Sequence, residues 1–276
     1  MNKKEKLWKK AKKFIPSGNN FLSKNPLRFK SKDWPIYFTK SKGCDIWDLN
    51  NKKYTDFTYM GVGTNILGYN NNKVDNEVMK TVKKGNLTTL NCPEEVKLAE
   101  QLVKMHKWAK SVKFARTGAE ANAIAVRLSR EFNKKNKVIV CGYHGWHDWY
   151  LSAKLSKKNF MDTHLFPNLK VEGVPSSLKE NIYSVKYNDF NSIKKIIQKD
   201  NDISSIIMEV ERDQKPKINY LNSIRKICNK KNICLIFDEC TTGFRETYGG
   251  LHLKYKIYPD IAMFGKAIGN GYALTA

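Results

Sequence analysis

Features that place a chain in a membrane, in the secretory pathway or around a metal ion are scarce in these 276 residues. No stretch approaches the roughly 20 consecutive apolar residues of a transmembrane helix, and no apolar signal segment follows Met1. We therefore expect a cytoplasmic protein. The six cysteines form no Cys-x-x-Cys pair, so we expect reduced thiols and no zinc site. We find no internal repeat and no low-complexity linker.

Acidic residues are also few, and the net charge is therefore strongly positive. The sequence has 26 Asp and Glu against 50 Lys and Arg, which gives a formal charge of +24. A basic surface of this kind can bind nucleic acid, but the lysines are spread through every segment and are accompanied by many asparagines. This spread favours solvated surface lysines over a nucleic-acid patch. The charge still favours the attraction of anionic substrates.

The first part of the chain shows helices and short strands. Residues 4–15 place apolar side chains on one face at helical spacing, and residues 73–84 and 94–106 carry the same periodicity. Residues 36–38 and 45–57 predict short antiparallel strands, the latter joined by an Asn-Asn turn.

From residue 111 the pattern changes to alternating strands and helices. This alternation predicts an α/β fold with a mostly parallel sheet covered by helices. The nearly continuous apolar run at 203–210 is typical of a strand that is buried on both faces. We predict strands at 112–115, 138–141, 203–210, 233–237 and 261–264, and helices at 120–132 and 220–232.

Two polar residues follow apolar strands near the end of the sequence. Asp238 ends one strand, and Lys266 follows the next among Gly265, Gly269 and Gly271. A carboxylate that holds a pyridine nitrogen protonated and a lysine that forms an imine are what pyridoxal phosphate (PLP) chemistry requires. Either residue alone has an ordinary interpretation: an aspartate that caps a turn, or a solvated lysine.

Two further blocks lie where strands end. Thr117-Gly118-Ala119 opens a helix, where free N–H groups and the helix dipole favour a phosphate, although Thr117 can also be a simple N-cap. Tyr143 and His144 follow the strand at 138–141 within an aromatic block that either stacks on a planar ring or belongs to the core. A metal site is less favoured there, because the histidines of the block lack helical i,i+4 spacing.

Taken together, these blocks resemble the class III aminotransferases, which have the PLP-dependent transferase fold of aspartate aminotransferase (fold type I). The similarity runs from Leu7 to Ala276 and is strongest to the glutamate-1-semialdehyde 2,1-aminomutases. The blocks that carry it occur in the same order and spacing as in the family. They are Ile-Pro-Ser-Gly-Asn (15–19), Thr-Gly-x-Glu-Ala (117–121), Tyr-His-Gly (143–145), Asp-Glu-x-x-Thr-Gly-Phe-Arg (238–245) and Gly-Lys-x-Ile-Gly (265–269).

The resemblance implies a role for each residue of a cofactor site. Lys266 would form the internal aldimine with PLP, and Asp238 would pair with the pyridine nitrogen. The other residues of the predicted site would surround the cofactor. They are Thr117, Gly118 and Ala119 at the phosphate, Tyr143 and Cys240 against the two ring faces, His144 beside Asp238, and the active-site glutamate Glu209.

The resemblance also implies a domain layout and partners. Residues 1–60 would belong to a small domain, and residues 61–276 would form a PLP-binding large domain that is cut off after the lysine strand. The rest of the large domain and a C-terminal small domain would be absent, so we expect the N-terminal portion of a longer protein or a truncated product. The expected partners are a small-molecule amine or amino-acid donor, a carbonyl acceptor and a second subunit, without nucleic acid or membrane.

Three functions remain open from the sequence. The leading one is a PLP-dependent aminotransferase that acts through Lys266. The second is a 2,1-aminomutase, although Phe21 and Lys24 stand where the aminomutases have Ser and Arg for the substrate carboxylate, and a lysine cannot replace the paired N–H groups of an arginine. The third is an inactive fragment or a basic binding protein that keeps the fold.

Overall fold

The computed structural model describes residues 2–85, 87–157, 159–165, 167 and 169–276. The chain divides into two compact units, Met1–Thr89 and Leu90–Ala276. The domain boundary that the sequence places at residue 60 stays a prediction. Within the described ranges, no helix combines the length and the apolar character that a membrane span requires.

The helices and strands follow the chain in this order. The helices are α1 (Lys3–Phe14), α2 (Met60–Gly63), α3 (Asn72–Lys84), α4 (Pro93–Met105), α5 (Gly118–Asn133), α6 (Asp148–Leu151), α7 (Phe190–Lys199), α8 (Tyr220–Lys231) and α9 (Leu251–Tyr255). The strands are β1 (Phe38–Lys42), β2 (Asp45–Asp48), β3 (Lys53–Thr55), β4 (Lys137–Cys141), β5 (Ile182–Ser184), β6 (Ile203–Met208), β7 (Cys234–Asp238) and β8 (Ile261–Met263).

The first unit contains a three-stranded antiparallel sheet in the order β1-β2-β3. Ile46 of β2 lies opposite Tyr54 of β3, and the turn between these strands is built around Asp48, whose carboxylate accepts from the backbone N–H groups of Asn50 and Lys52. Strands β2 and β3 and the helices α1 and α3 agree with the sequence prediction, whereas the strand predicted at 36–38 instead runs from Phe38 to Lys42.

The second unit is built on a five-stranded sheet in the order β5-β4-β6-β7-β8, and all of its strand pairs are parallel. Every residue of β6 is buried, as the apolar run in the sequence indicates. The predicted α/β fold with a mostly parallel sheet and flanking helices is confirmed.

Helices cover the two faces of this sheet. Because side chains alternate along a strand, Val138 and Val140 of β4 pack in one core cluster together with apolar residues of α5. Ile139 and Cys141 point to the opposite face and pack in a second cluster with α7 and α8. Both faces of the central strands are therefore covered by apolar side chains, and the polar groups lie at the strand ends.

The structure differs from the sequence prediction in several elements. Residues 112–115 do not join the parallel sheet; only Ala115 makes a bridge, through two hydrogen bonds of 3.0 and 2.9 Å with Thr275. Strand β5, helix α7 and the short helices α2, α6 and α9 were not predicted. Strand β5 has three residues, too few for a periodic pattern, whereas the spacing of Ile193, Ile196 and Ile197 is a helical signal that the sequence carries.

Candidate active site

Asp238 provides a buried carboxylate at the carboxyl end of β7. Its side chain accepts three hydrogen bonds: Oδ2 accepts from His144 Nδ1 and from Asn122 Nδ2, both at 2.9 Å, and Oδ1 accepts from the N–H of Cys240 at 3.0 Å. A carboxylate has about four lone-pair positions, so one acceptor position is left. This carboxylate is fixed by donors from three separate parts of the chain.

These donors keep Asp238 ionised although it is only 3% exposed. Burial by itself raises the pKa of a carboxyl group, but the hydrogen bond and the charge of His144 and the hydrogen bonds of Asn122 and Cys240 outweigh it and lower the pKa. His144 donates to Asp238 through its Nδ1 atom, and the other nitrogen of the ring is Nε2. That Nε2 atom is buried and has no hydrogen-bond partner among the described residues.

Lys266 reaches the same edge of the sheet from the neighbouring strand. Strands β7 and β8 are parallel, with Asp238 opposite Met263, so the residues after each strand emerge side by side. Lys266 Nζ donates to Thr241 Oγ1 at 3.0 Å. The lysine has a left-handed backbone with φ of 47°, and no ion pair is formed by its Nζ within the described part of the chain.

The N-terminus of α5 presents unused donors. Thr117 caps the helix: its hydroxyl accepts from the N–H of Glu120, whose carboxylate accepts in turn from the N–H of Thr117. The N–H groups of Gly118 and Ala119 have no acceptor among the residues that the structure describes. Asn122 lies in the next turn of the same helix and donates to Asp238. Helix α5 therefore connects the predicted phosphate loop to the carboxylate.

Tyr143 and Glu209 meet where β4 and β6 end. The N–H of Tyr143 donates to Glu209 Oε2 at 3.0 Å. Gly142 has a φ of 133°, and a Cβ atom there would lie 2.7 Å from the same carboxylate oxygen, so only glycine allows this approach. The Tyr143 side chain stays 40% exposed, while Glu209 is 4% exposed. Burial raises the pKa of Glu209.

Cys240 lies between two glycines. A Cβ atom at Gly118 or at Gly265 would come within 2.9 Å of Cys240 Sγ. The thiol is buried, and burial and the charge of Asp238 raise its pKa well above the ordinary value. Cys240 is therefore a protonated, compact apolar side chain that joins the loop after β7 to the loop at α5.

Buried histidines support the turn that follows Asp238. Glu239 is fully buried, and its carboxylate accepts from the backbone N–H groups of Leu251 and His252 and from His252 Nδ1, the last at 2.5 Å. Trp108 Nε1 donates to His252 Nε2 at 3.0 Å, so His252 is neutral with its proton on Nδ1. This network closes the loop between β7 and α9.

All the residues that the sequence predicts for the site lie at or beyond the carboxyl ends of β4, β6, β7 and β8 or at the start of α5. Their roles stay predictions. Three further residues were given no role from the sequence: Asn122, Thr241 and Arg212. Thr241 stands inside the motif at 238–245 and Asn122 directly follows the motif at 117–121, so their positions were a usable signal. Arg212 follows β6 in a loop, and no sequence pattern indicates that it reaches Glu209.

The fold is the α/β fold of the PLP-dependent transaminases. An omega-transaminase from Sphaerobacter thermophilus has the same fold with a TM-score of 0.85 at 21% identity, over 98% of this chain and 62% of that one. The family model for class III aminotransferases matches residues 28–276. The chain belongs to the class III aminotransferase family, as the sequence predicts, and enzymes of this family depend on PLP.

Curated relatives include both activities that the sequence leaves open. The chain is 36% identical over 278 residues to a glutamate-1-semialdehyde 2,1-aminomutase from Nitrosopumilus maritimus. It is 32% identical over 278 residues to a 3-aminobutyryl-CoA aminotransferase from Cloacimonas acidaminovorans. Each match covers 98% of this chain and 63% of the relative. The chain thus spans less than two thirds of the length of these relatives.

Proposed function

We propose that this chain carries the cofactor-binding part of a PLP-dependent aminotransferase, which moves an amino group from an amine or amino acid to a carbonyl acceptor. The observation that carries the proposal is that Asp238 ends β7 and that Lys266 follows the adjacent parallel strand β8. Asp238 is buried and ionised, and Lys266 is held by a neutral hydroxyl group. This is the charge arrangement that PLP chemistry uses.

The described residues fit the cofactor. Asp238 has one acceptor position left, which suits a protonated ring nitrogen. The N–H groups of Gly118 and Ala119 at the start of a 16-residue helix suit a phosphate. Tyr143 on one side and Cys240 on the other would line the two faces of the ring. When it is bound, PLP supplies an electron sink for bond breaking at the carbon that bears the amino group.

Residues of this chain would hold the cofactor, transfer the proton and orient the reacting groups. Asp238 would keep a proton on the ring nitrogen, because its own pKa is lowered and it stays a carboxylate. Lys266 Nζ would bind the cofactor and then carry the proton that leaves the substrate carbon, as a general base and acid. Thr241 would orient this amine through its hydroxyl oxygen. Glu209 would fix the backbone of Tyr143.

The test of this proposal is the visible absorbance of the purified protein after PLP is added. We expect a lysine-dependent band that disappears in Lys266→Ala. A matched control is Lys230→Ala, which removes an exposed lysine from α8 and should leave the band unchanged. A wild-type protein without this band would refute the proposal, and it would favour an inactive fragment or a basic binding protein that keeps the fold.

A 2,1-aminomutase is the second candidate, because a relative with that name is 36% identical. The presence of Phe21 and Lys24 in place of the Ser and Arg expected in aminomutases argues against it. Amino transfer to an external keto acid without isomerisation of glutamate-1-semialdehyde would exclude the aminomutase. A cytoplasmic homodimer is part of the proposal on the strength of the family resemblance, and size measurement of the protein in solution tests the dimer.

A further inference from the structure

A cavity of about 180 Å³ opens beside the candidate active site. It lies where β4, β5 and β6 end, and it shares Gly142 and Glu209 with that site. The residues that give it charge are Lys186, Glu209, Arg212 and Asp213. No residue predicted from the sequence to hold the cofactor phosphate or to form the imine lines it, so the cavity is free for a different part of a ligand.

Arg212 is anchored in this cavity by one of its nitrogens. Nη1 donates to Glu209 Oε2 and to the carbonyl oxygen of His164, both at 3.2 Å. The guanidinium carbon lies 6.0 Å from the centre of the Tyr143 ring. Through Glu209 and Tyr143, the position of Arg212 is tied to the predicted cofactor site.

The rest of the guanidinium is available. Its Nε lies 3.8 Å from Asp213 Oδ2, which is beyond hydrogen-bond distance, and the Asp213 side chain is 82% exposed. Among the described residues, nothing accepts a hydrogen bond from Nε or Nη2. These two nitrogens present parallel N–H groups along one edge, the geometry that binds both oxygens of a carboxylate.

A second cation and the state of Glu209 make the cavity favourable for an anion. Lys186 lines it without an ion pair in the described part of the chain; its Nζ lies 5.2 Å from the centre of the Phe160 ring. Glu209 already accepts hydrogen bonds from Arg212 and from the N–H of Tyr143, so its negative charge is compensated.

We propose that this cavity binds a carboxylate group of the substrate through the Nε–Nη2 edge of Arg212, with Lys186 as a second cation, so that Arg212 selects donors and acceptors that carry a carboxylate. This inference rests on the proposed aminotransferase function and adds the substrate class. Asp213 competes weakly for the same edge, because it lies close to it but remains solvated.

The test is a calorimetric titration with succinate, a dicarboxylate that carries no amine, and with the neutral diamide succinamide. We expect the wild-type protein to bind succinate and not succinamide. Arg212→Lys keeps the charge but loses the paired N–H groups, and it should weaken succinate binding about ten-fold or more. Arg212→Gln should weaken it further, and Asp213→Asn should strengthen it. Lys215→Gln removes a nearby exposed charge outside the cavity and should change nothing.

Each result bears on the inference. Succinate binding that is absent, that is equal in Arg212→Lys and the wild type, or that inorganic sulfate matches in affinity would overturn carboxylate recognition by Arg212. The visible band with PLP is measured on the same samples. A Lys266-dependent band without Arg212-dependent succinate binding refutes this inference alone. Arg212-dependent binding without the band refutes the aminotransferase function, and with it the assignment of the anion to a substrate.

Discussion

Asn122 provides the sharpest test of how the charge of Asp238 is held. Its Nδ2 donates to the carboxylate of Asp238 at 2.9 Å and to the carbonyl oxygen of His144 at 3.2 Å, and its Oδ1 is buried without a partner in the described residues. Asn122→Ala removes both hydrogen bonds and also removes the unpartnered oxygen. The change therefore has a destabilising part and a compensating part, and both can be given a size.

The hydrogen bond to the ionised carboxylate contributes about 1.5 to 3 kcal/mol and the one to the neutral carbonyl about 0.5 to 1.5 kcal/mol. Removal of the buried, unpaired Oδ1 atom raises the free energy of unfolding by about 1 to 3 kcal/mol. We expect a net loss of about 1 to 2 kcal/mol in the free energy of unfolding, because the hydrogen bond to the charged group is the stronger of the two. Urea denaturation measures it as a lower midpoint with an unchanged slope.

Asn133→Ala is the matched control. Asn133 is the last residue of the same helix, its Nδ2 donates to the carbonyl oxygens of Ser204 and Asn232, and its Oδ1 is also buried and unpartnered in the described structure. It differs from Asn122 in having no charged acceptor. We expect its loss to stay within about 0.5 kcal/mol, since the neutral bonds and the removed acceptor nearly offset each other.

The pH dependence separates the hydrogen bond to the Asp238 carboxylate from the other effects of the Asn122→Ala substitution. The pKa of Asp238 is lowered in the folded protein, so its contribution to stability is present above the unfolded value of about 3.9 and is lost as the pH falls through the folded pKa. The difference between Asn122→Ala and the wild type should therefore shrink in acid, and that of Asn133→Ala should not. Equal losses in the two variants, or a loss for Asn122→Ala that is independent of pH, would refute this account of Asp238.

Three further changes test the surroundings of the site. Gly142→Ala should lower the free energy of unfolding by about 1 to 3 kcal/mol because of the backbone conformation, and by more because the added Cβ atom approaches Glu209. Gly173→Ala, with open space around the added methyl group, should leave the free energy of unfolding nearly unchanged in the same urea experiment. Burial lowers the pKa of His164 to about 4, below the unfolded value of about 6.5. Its contribution to stability is therefore present above about pH 6.5 and is lost as the pH falls toward 4. His164→Gln should remove this fall in the free energy of unfolding, which amounts to about 3 kcal/mol, and urea unfolding at several pH values measures it. Trp108→Phe removes the donor to His252 Nε2 and should lower stability by about 0.5 to 1.5 kcal/mol; an unchanged thermal midpoint would contradict the fixed state of His252.

The parallel sheet was predictable because its strands are long apolar runs that end in polar residues. Strands β4, β6 and β7 are recognisable in this way, and so is helix α5 through its apolar spacing. Residues 112–115 look like the same kind of strand, but the only β-bridge that they form in the described structure joins Ala115 to Thr275, which is far away in sequence. A pairing of this kind depends on the completed fold, and a local pattern does not contain it.

The candidate site was predictable where a residue stands inside a motif. Asp238, Lys266 and Thr117 are such residues, and the structure brings their strand and helix ends to one edge. Arg212 was not predictable, because its contacts with Glu209 and His164 depend on how the loop after β6 folds back. The hydrogen bond of His144 was not predictable either, since its partner Asp238 lies 94 positions away in the sequence.

The strand order explains why one edge of the sheet collects all these groups. The chain goes from β4 to β5 on one side and then returns to β6 on the other side of β4. In open α/β sheets a crevice forms outside the carboxyl ends of the strands at such a point of reversal. Tyr143 follows β4 and Glu209 follows β6, so both lie at the crevice, and Asp238 and Lys266 extend the same edge along β7 and β8. The cavity with Arg212 begins at this reversal and opens toward β5. A ligand that spans the edge would therefore meet the residues predicted for the cofactor at one end and the guanidinium of Arg212 at the other, as the proposed carboxylate site requires.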